Sequence, residues 1–460
     1  MIKQILSSGA LCLALVSMPL TLQAANNEDL LSIFSQAQQN DPQLRSSEIN
    51  KELEAENINL SKAQFLPTLG ASASASRQET DGSGGEIIPT ANLDPSDSFQ
   101  QGVASYINGL GAGSREVDTQ SYGLSLRQSI YNHANYVTLD QARLRQQQAN
   151  IQYQSDWQQL AIRTASAYFG VLQEQVNLTT TKAQLEATEQ QLEEIEQRFK
   201  VGLIAITDLE EAKARYDLVT AQQIAAEAAL DNSKEALREI TGKTPSDLAD
   251  TIEEMPLDAP AFSAANDWVL KATQNNTQLK AARKGLDVAR KEIARTRTGH
   301  LPTLDFSASY QKTQGDSEND VTAYGLSLNI PIYAGGAVST QTRQAALRFD
   351  QARQQYEQSY RQLERNTRET FRNLISSVAQ IKALKQAVRS SESALEATQA
   401  GFNVGTRTVV EVLNAQTSLY SARRDYAQAR YGYLLNRLQL EFTVGDLTEQ
   451  DIKQTNSWLK

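Results

Sequence analysis

The sequence predicts an α+β membrane protein: long antiparallel helices of coiled-coil character, combined with four membrane strands, in a plan laid down twice. Three observations carry this. The block at residues 199–208 (FKVGLIAITD) returns at residues 402–411 (FNVGTRTVVE), 203 positions on. Upstream of each block an apolar residue recurs every seventh position: Leu178, Leu185, Leu192 and Phe199, then Ile381, Val388, Leu395 and Phe402. Four further segments alternate apolar with small polar residues. An internal repeat sets the architecture before any residue is given a role.

In chain order, residues 1–24 read as a secretory signal peptide. Lys3 precedes an apolar stretch from Ile5 to Leu20, and Leu22-Gln23-Ala24 suits cleavage. A buried N-terminal helix is the alternative. The only cysteine, Cys12, lies inside this segment, and Leu11 before it argues against a lipid anchor. The rest of the chain therefore has no disulfide and no thiolate metal site. With only His133 and His300, histidine-rich metal sites are excluded. No phosphate loop, zinc-protease or nucleophile-elbow motif occurs, so no catalytic residue, cofactor or metal is expected. The net charge of −10 argues against nucleic-acid binding.

Residues 25–242 form the first repeat, 243–262 a linker, 263–445 the second repeat and 446–460 a C-terminal tail. Each repeat runs helix, two strands, long helix, turn, helix. Leu66-Pro67-Thr68-Leu69 returns as Leu301-Pro302-Thr303-Leu304, and Tyr122-Gly123-Leu124 as Tyr324-Gly325-Leu326. Their offsets, 235 and 202, leave the first copy about 33 residues longer. This excess, around residues 81–120, is rich in Gly, Ser, Pro and Asp and reads as an external loop.

No proline occurs between Pro95 and Pro245 or after Pro331, and the long stretches are rich in Ala, Gln, Glu, Leu and Arg. Some sixty helical residues span roughly 100 Å, so these rods need partner helices. Along the strands, Leu69, Ala71, Ala73 and Ala75 share one face, as do Tyr122, Leu124 and Leu126. In the second copy, Leu304, Phe306, Ala308 and Tyr310 do so, then Tyr324, Leu326, Leu328 and Ile330. This is the pattern of a transmembrane β-barrel, although a half-exposed soluble sheet would share it. Membrane barrels need at least about eight strands and tolerate no open edge. Four strands therefore require several protomers to share one barrel.

Four blocks carry a resemblance to a known family: residues 198–208 (RFKVGLIAITD), 404–410 (VGTRTVV), 299–305 (GHLPTLD) and 331–336 (PIYAGG). On these the chain resembles the TolC family of outer-membrane efflux and secretion channels, over nearly all of its length. The resemblance implies a homotrimer with one shared twelve-stranded β-barrel in outer-membrane lipid. Below it the helices form a periplasmic tunnel, closed by the helical hairpin tips. A periplasmic adaptor and an inner-membrane transporter are the implied partners, and the duct itself is passive.

It also implies roles for residues. Thr207, Asp208, Gln191, Arg407 and Phe402 match the gate, with Arg407 expected to meet a carboxylate or the Thr207 oxygen. Asp208 alternatively caps the returning helix. Phe402 replaces a family tyrosine and Gln399 a glutamate, so the closed state is expected to lean on Arg407. Glu411 and Asn414 match two aspartate rings that narrow the pore. With only Glu411 charged, weaker cation selectivity is expected. Val201, Gly202, Leu203, Val404, Gly405 and Thr406 match the adaptor-docking tips. Tyr131 and Tyr333 suit the membrane interface or core packing against neighbours. The competing reading is a structural coiled-coil protein of the periplasm or cell surface, which explains the heptads but not the strands.

Overall fold

The computed structural model describes residues 28–82, 88–89, 93–111, 113–252, 255–257, 264–315 and 317–459. The signal peptide expected over residues 1–24 lies outside them, as do parts of the expected loop and linker. The elements are α1 (Leu30–Asn40), α2 (Pro42–Ala63), β1 (Thr68–Gly82), α3 (Ser98–Gly111), β2 (Gly113–Tyr131), α4 (His133–Lys200) and α5 (Ile206–Thr241). The second half holds α6 (Ala265–Asn275), α7 (Thr277–Arg297), β3 (Thr303–Gln314), β4 (Asn319–Asn329), α8 (Ala337–Asn403), α9 (Val409–Val444) and α10 (Glu449–Asn456).

The repeat is visible in the helix ends. Asp41 accepts from the Leu44 amide at 2.6 Å and starts α2; Asn276, 235 residues later, accepts from the Leu279 amide at 2.8 Å and starts α7. α5 and α9 both end on a left-handed glycine, Gly242 and Gly445, at φ 74° and 85°. Helices α4 and α8 run for 68 and 67 residues, about 100 Å each. Their lower parts pair with α5 and α9; their upper parts pair with α2 and α7, which stack in the order α2-α4-α7-α8. No described helix is long and apolar enough to cross a membrane.

The strands form one antiparallel sheet in the order β1-β2-β3-β4. Its register aligns the apolar face. Leu69 faces Leu126, Ala71 faces Leu124, Leu124 faces Tyr310, and Phe306 faces Leu326. Leu69, Leu326 and Leu328 are exposed, and so are Tyr131 and Tyr333, so neither tyrosine packs into a core of its own chain. The outer edges of β1 and β4 have no partner strand among the described residues.

One expectation needs correction. The stretch at 81–120 is not simply a loop: β1 and β2 stay in register out to Gly82 and Gly113, and α3 occupies part of the connection. Along this polar extension Arg77 on β1 pairs with Glu116 on β2. The described linker residues are tied to other parts of the chain. Leu248 bridges Glu28, and Thr251 bridges Leu459. The Tyr168 hydroxyl donates to the Ala249 carbonyl at 2.7 Å, and the Tyr431 hydroxyl to Asp250 at 2.8 Å. These tyrosines sit in the main core with Phe34, Phe169, Trp268 and Leu434. Burial holds both hydroxyls well above the usual phenol range, so they stay neutral donors.

Candidate functional site

The two hairpin tips are built alike. At the first, the Gly202 amide donates to the Phe199 carbonyl at 2.9 Å and the Leu203 amide to Arg198 at 2.9 Å. At the second, the Gly405 amide donates to Phe402 at 3.0 Å and Thr406 to Gly401 at 2.9 Å. Closing each turn needs a left-handed residue, and Gly202 and Gly405 sit at φ 77° and 79°. Beyond these bonds the tips offer apolar side chains to solvent: Val201, Leu203 and Val404 are 70%, 73% and 76% exposed.

Just behind the tips, Ile195, Leu209, Ala212, Phe402, Val409, Val412 and Leu413 form a buried cluster separate from the main core. It joins α4, α5, α8 and α9. Arg198 lies over the Phe402 ring at 4.6 Å, donates to the Asn403 side-chain oxygen at 3.1 Å, and pairs with Glu194 at 2.5 Å. The position that resembles a hydrogen-bonding tyrosine is thus an aromatic platform for a cation. Arg198 stood inside a diagnostic block yet had no assigned role, because its partners lie 204 and 205 residues away.

The two returning helices start differently. Thr408 caps α9 in a reciprocal box: the Glu411 amide donates to its hydroxyl at 3.3 Å, and the Thr408 amide donates to Glu411 Oε2 at 2.8 Å. That Thr-x-x-Glu spacing is local and can be read in the sequence. α5 starts on Ala205, which has no hydroxyl, and no side chain caps it. Asp208 therefore makes no capping hydrogen bond; it only places a negative charge in the first turn.

Arg407 donates to Glu411 Oε1 at 2.5 Å, one turn along its own chain. Among the described residues it reaches neither Thr207 nor Asp208. The Thr408 amide, then Arg407, holds the Glu411 carboxyl below its ordinary 4.5. Asn414 accepts from Arg215 at 3.3 Å, which links α9 to α5. Gln191 is buried, and its Nε2 has no hydrogen-bond partner; it does not meet Gln399. It ends a buried polar row on α4 with Thr181, Gln184 and Thr188.

A four-stranded sheet with an exposed apolar face sits on a helical body about 100 Å long that ends in exposed hairpin tips. The sequence profile described as "Outer membrane efflux protein" matches residues 33–243 and 268–446, and the chain belongs to that family. It is 37% identical over 449 residues to the outer membrane protein TolC of Vibrio cholerae serotype O1, covering 94% of each chain. It is 29% identical over 441 residues to the proteases secretion protein PrtF of Dickeya chrysanthemi, covering 94% of this chain and 91% of that one. The Campylobacter jejuni CmeC outer membrane channel shares the fold, with a TM-score of 0.74 at 17% identity, covering 100% of this chain and 98% of that one. The relatives are transport conduits, and the chain is an outer-membrane exit duct that reaches into the periplasm.

Proposed function

We propose that three copies of this chain close their sheets edge to edge into a single twelve-stranded barrel, above a periplasmic duct shut at its tips. The open edges of β1 and β4 carry this reading. In lipid each unpaired backbone group costs several kcal/mol, and neighbouring copies supply the missing partners. Extraction in mild detergent is expected to yield a particle of three chains that conducts in a planar bilayer. A monomer, or a particle that never conducts, overturns the proposal.

A periplasmic adaptor docks on Val201, Gly202, Leu203, Val404, Gly405 and Thr406, and an inner-membrane transporter supplies cargo and energy. Exposed Val201 and Leu203 at the first tip and exposed Val404 at the second support this. The family name points to efflux and the Dickeya relative's name to protease secretion. Deletion of the gene is expected to raise susceptibility to hydrophobic drugs, with protein secretion assayed in parallel. Unchanged susceptibility and unchanged secretion together would reject the duct.

The gate comprises Thr207, Asp208, Gln191, Arg407 and Phe402, with Glu411 and Asn414 lining the constriction. Arg407, in the turn before α9, pairs with Glu411 of the same chain, so the ring has little net charge and cation selectivity is weak. Arg407→Ala uncovers the carboxylate. It is expected to raise the cation-to-anion permeability ratio several-fold, and Glu411→Gln added to it is expected to cancel the gain. An unchanged ratio, conductance and antibiotic leak in Arg407→Ala would remove both residues from the gate.

A further inference from the structure

Helix α7 carries seven basic and two acidic side chains, whereas its counterpart α2 carries three and four. Arg290 and Lys291 stand where the first copy has Ala55 and Glu56. In a chain of net charge −10 this is a local reversal of sign. Arg290, Lys291 and Arg297 rim a groove of ≈630 Å³ between α4 and α7, over a floor of Leu144, Ile293 and Ala294, with Asp287 further from the sheet. Lys291 is held by Asp140 at 3.0 Å. Arg290 and Arg297 have no ion pair among the described residues.

The groove is placed for a membrane surface. A short 3-10 turn leads from α7 into β3, so Arg297 lies within roughly 15 Å of the first strand residue, Thr303. Arg290 lies about 10 Å deeper, and arginine side chains extend toward an interface. α4 and α7 are the middle pair of the stack α2-α4-α7-α8, so the groove is complete within one chain. Copies joined at the sheet edges would meet at α2 and α8 and leave it open.

We propose that this groove binds the phosphate headgroup of an anionic phospholipid from the periplasm-facing leaflet, with Arg290 and Arg297 as its cationic contacts. The lipid anchors the junction between barrel and duct and offsets repulsion between an acidic protein and an acidic membrane. Each basic residue near such a surface contributes enough that losing two weakens retention by tenfold or more, on the order of the usual lipid effect.

The test is native mass spectrometry of the full protein from vesicles of phosphatidylglycerol and phosphatidylethanolamine, released in mild detergent. The unaltered protein is expected to retain phosphatidylglycerol preferentially. Arg290→Gln with Arg297→Gln is expected to lose that preference, and Arg290→Lys with Arg297→Lys to keep most of it. Equal retention by the unaltered protein and the glutamine variant overturns the proposal. So does a glutamine variant with unchanged retention but altered ion selectivity in a neutral bilayer, which places the groove on the lumen.

Discussion

Phe402→Ala is expected to give the largest change in resting conductance of any single substitution at the tips. Phe402 is 5% exposed and belongs to a buried cluster that alone joins all four helices there. Truncating a buried phenylalanine costs about 3–5 kcal/mol. Here the loss also strips Arg198 of its aromatic face, worth about 0.5–1 kcal/mol at a partly exposed site. The main core, around Trp268 and Tyr168, is a separate cluster, so the loss should stay local. Higher single-channel conductance, drug leak without partners, and faster amide exchange at residues 195–213 and 402–416 are the expected readouts. Phe402→Leu should retain much of the packing. If conductance and exchange in Phe402→Ala match the unaltered protein, this cluster does not hold the tip shut.

Gly445→Ala is expected to be the most destabilising small substitution in the chain. The residue is left-handed at φ 85°, and a Cβ there would lie 2.6 Å from the Asn276 Cα and 2.7 Å from the Asn275 carbonyl oxygen. Both obstacles are backbone, at the start of α7, where the Asn276 side chain also donates to the Thr443 carbonyl at 2.9 Å. Left-handed strain costs about 1–2 kcal/mol, and overpacking typically adds about 1–3 kcal/mol. The repeat supplies its own control. Gly242, 203 residues earlier, shares the conformation, but its added Cβ would meet only the Asn40 side chain at 3.5 Å. Gly242→Ala should therefore cost only the strain. Thermal unfolding of the two variants side by side decides it; equal shifts would mean that the close approach at Gly445 relaxes freely.

That comparison shows how far the sequence reaches. The glycines at 242 and 445 are equivalent by offset and by conformation, yet only packing against α7 separates them. The same holds at the tips. Turn glycines and seven-residue ladders are local and periodic, so the backbone's own geometry makes them legible. The Thr408 and Glu411 cap was legible too, since its partners lie three residues apart. Arg198 on Phe402 was not, because that contact depends on how two 100 Å rods are aligned, which no spacing encodes.

By itself the sequence determined the duplicated plan, the length of the helices and the apolar face of each strand. All of these follow from repeat offsets and from the periods of 2.0 and 3.6 residues that backbone geometry imposes. Only the tertiary structure decided that Arg407 is taken by Glu411, that Asp208 caps nothing, and that the added segment continues a hairpin and carries a helix. A charged side chain takes the partner that packing brings within reach. That choice is made in space rather than along the chain.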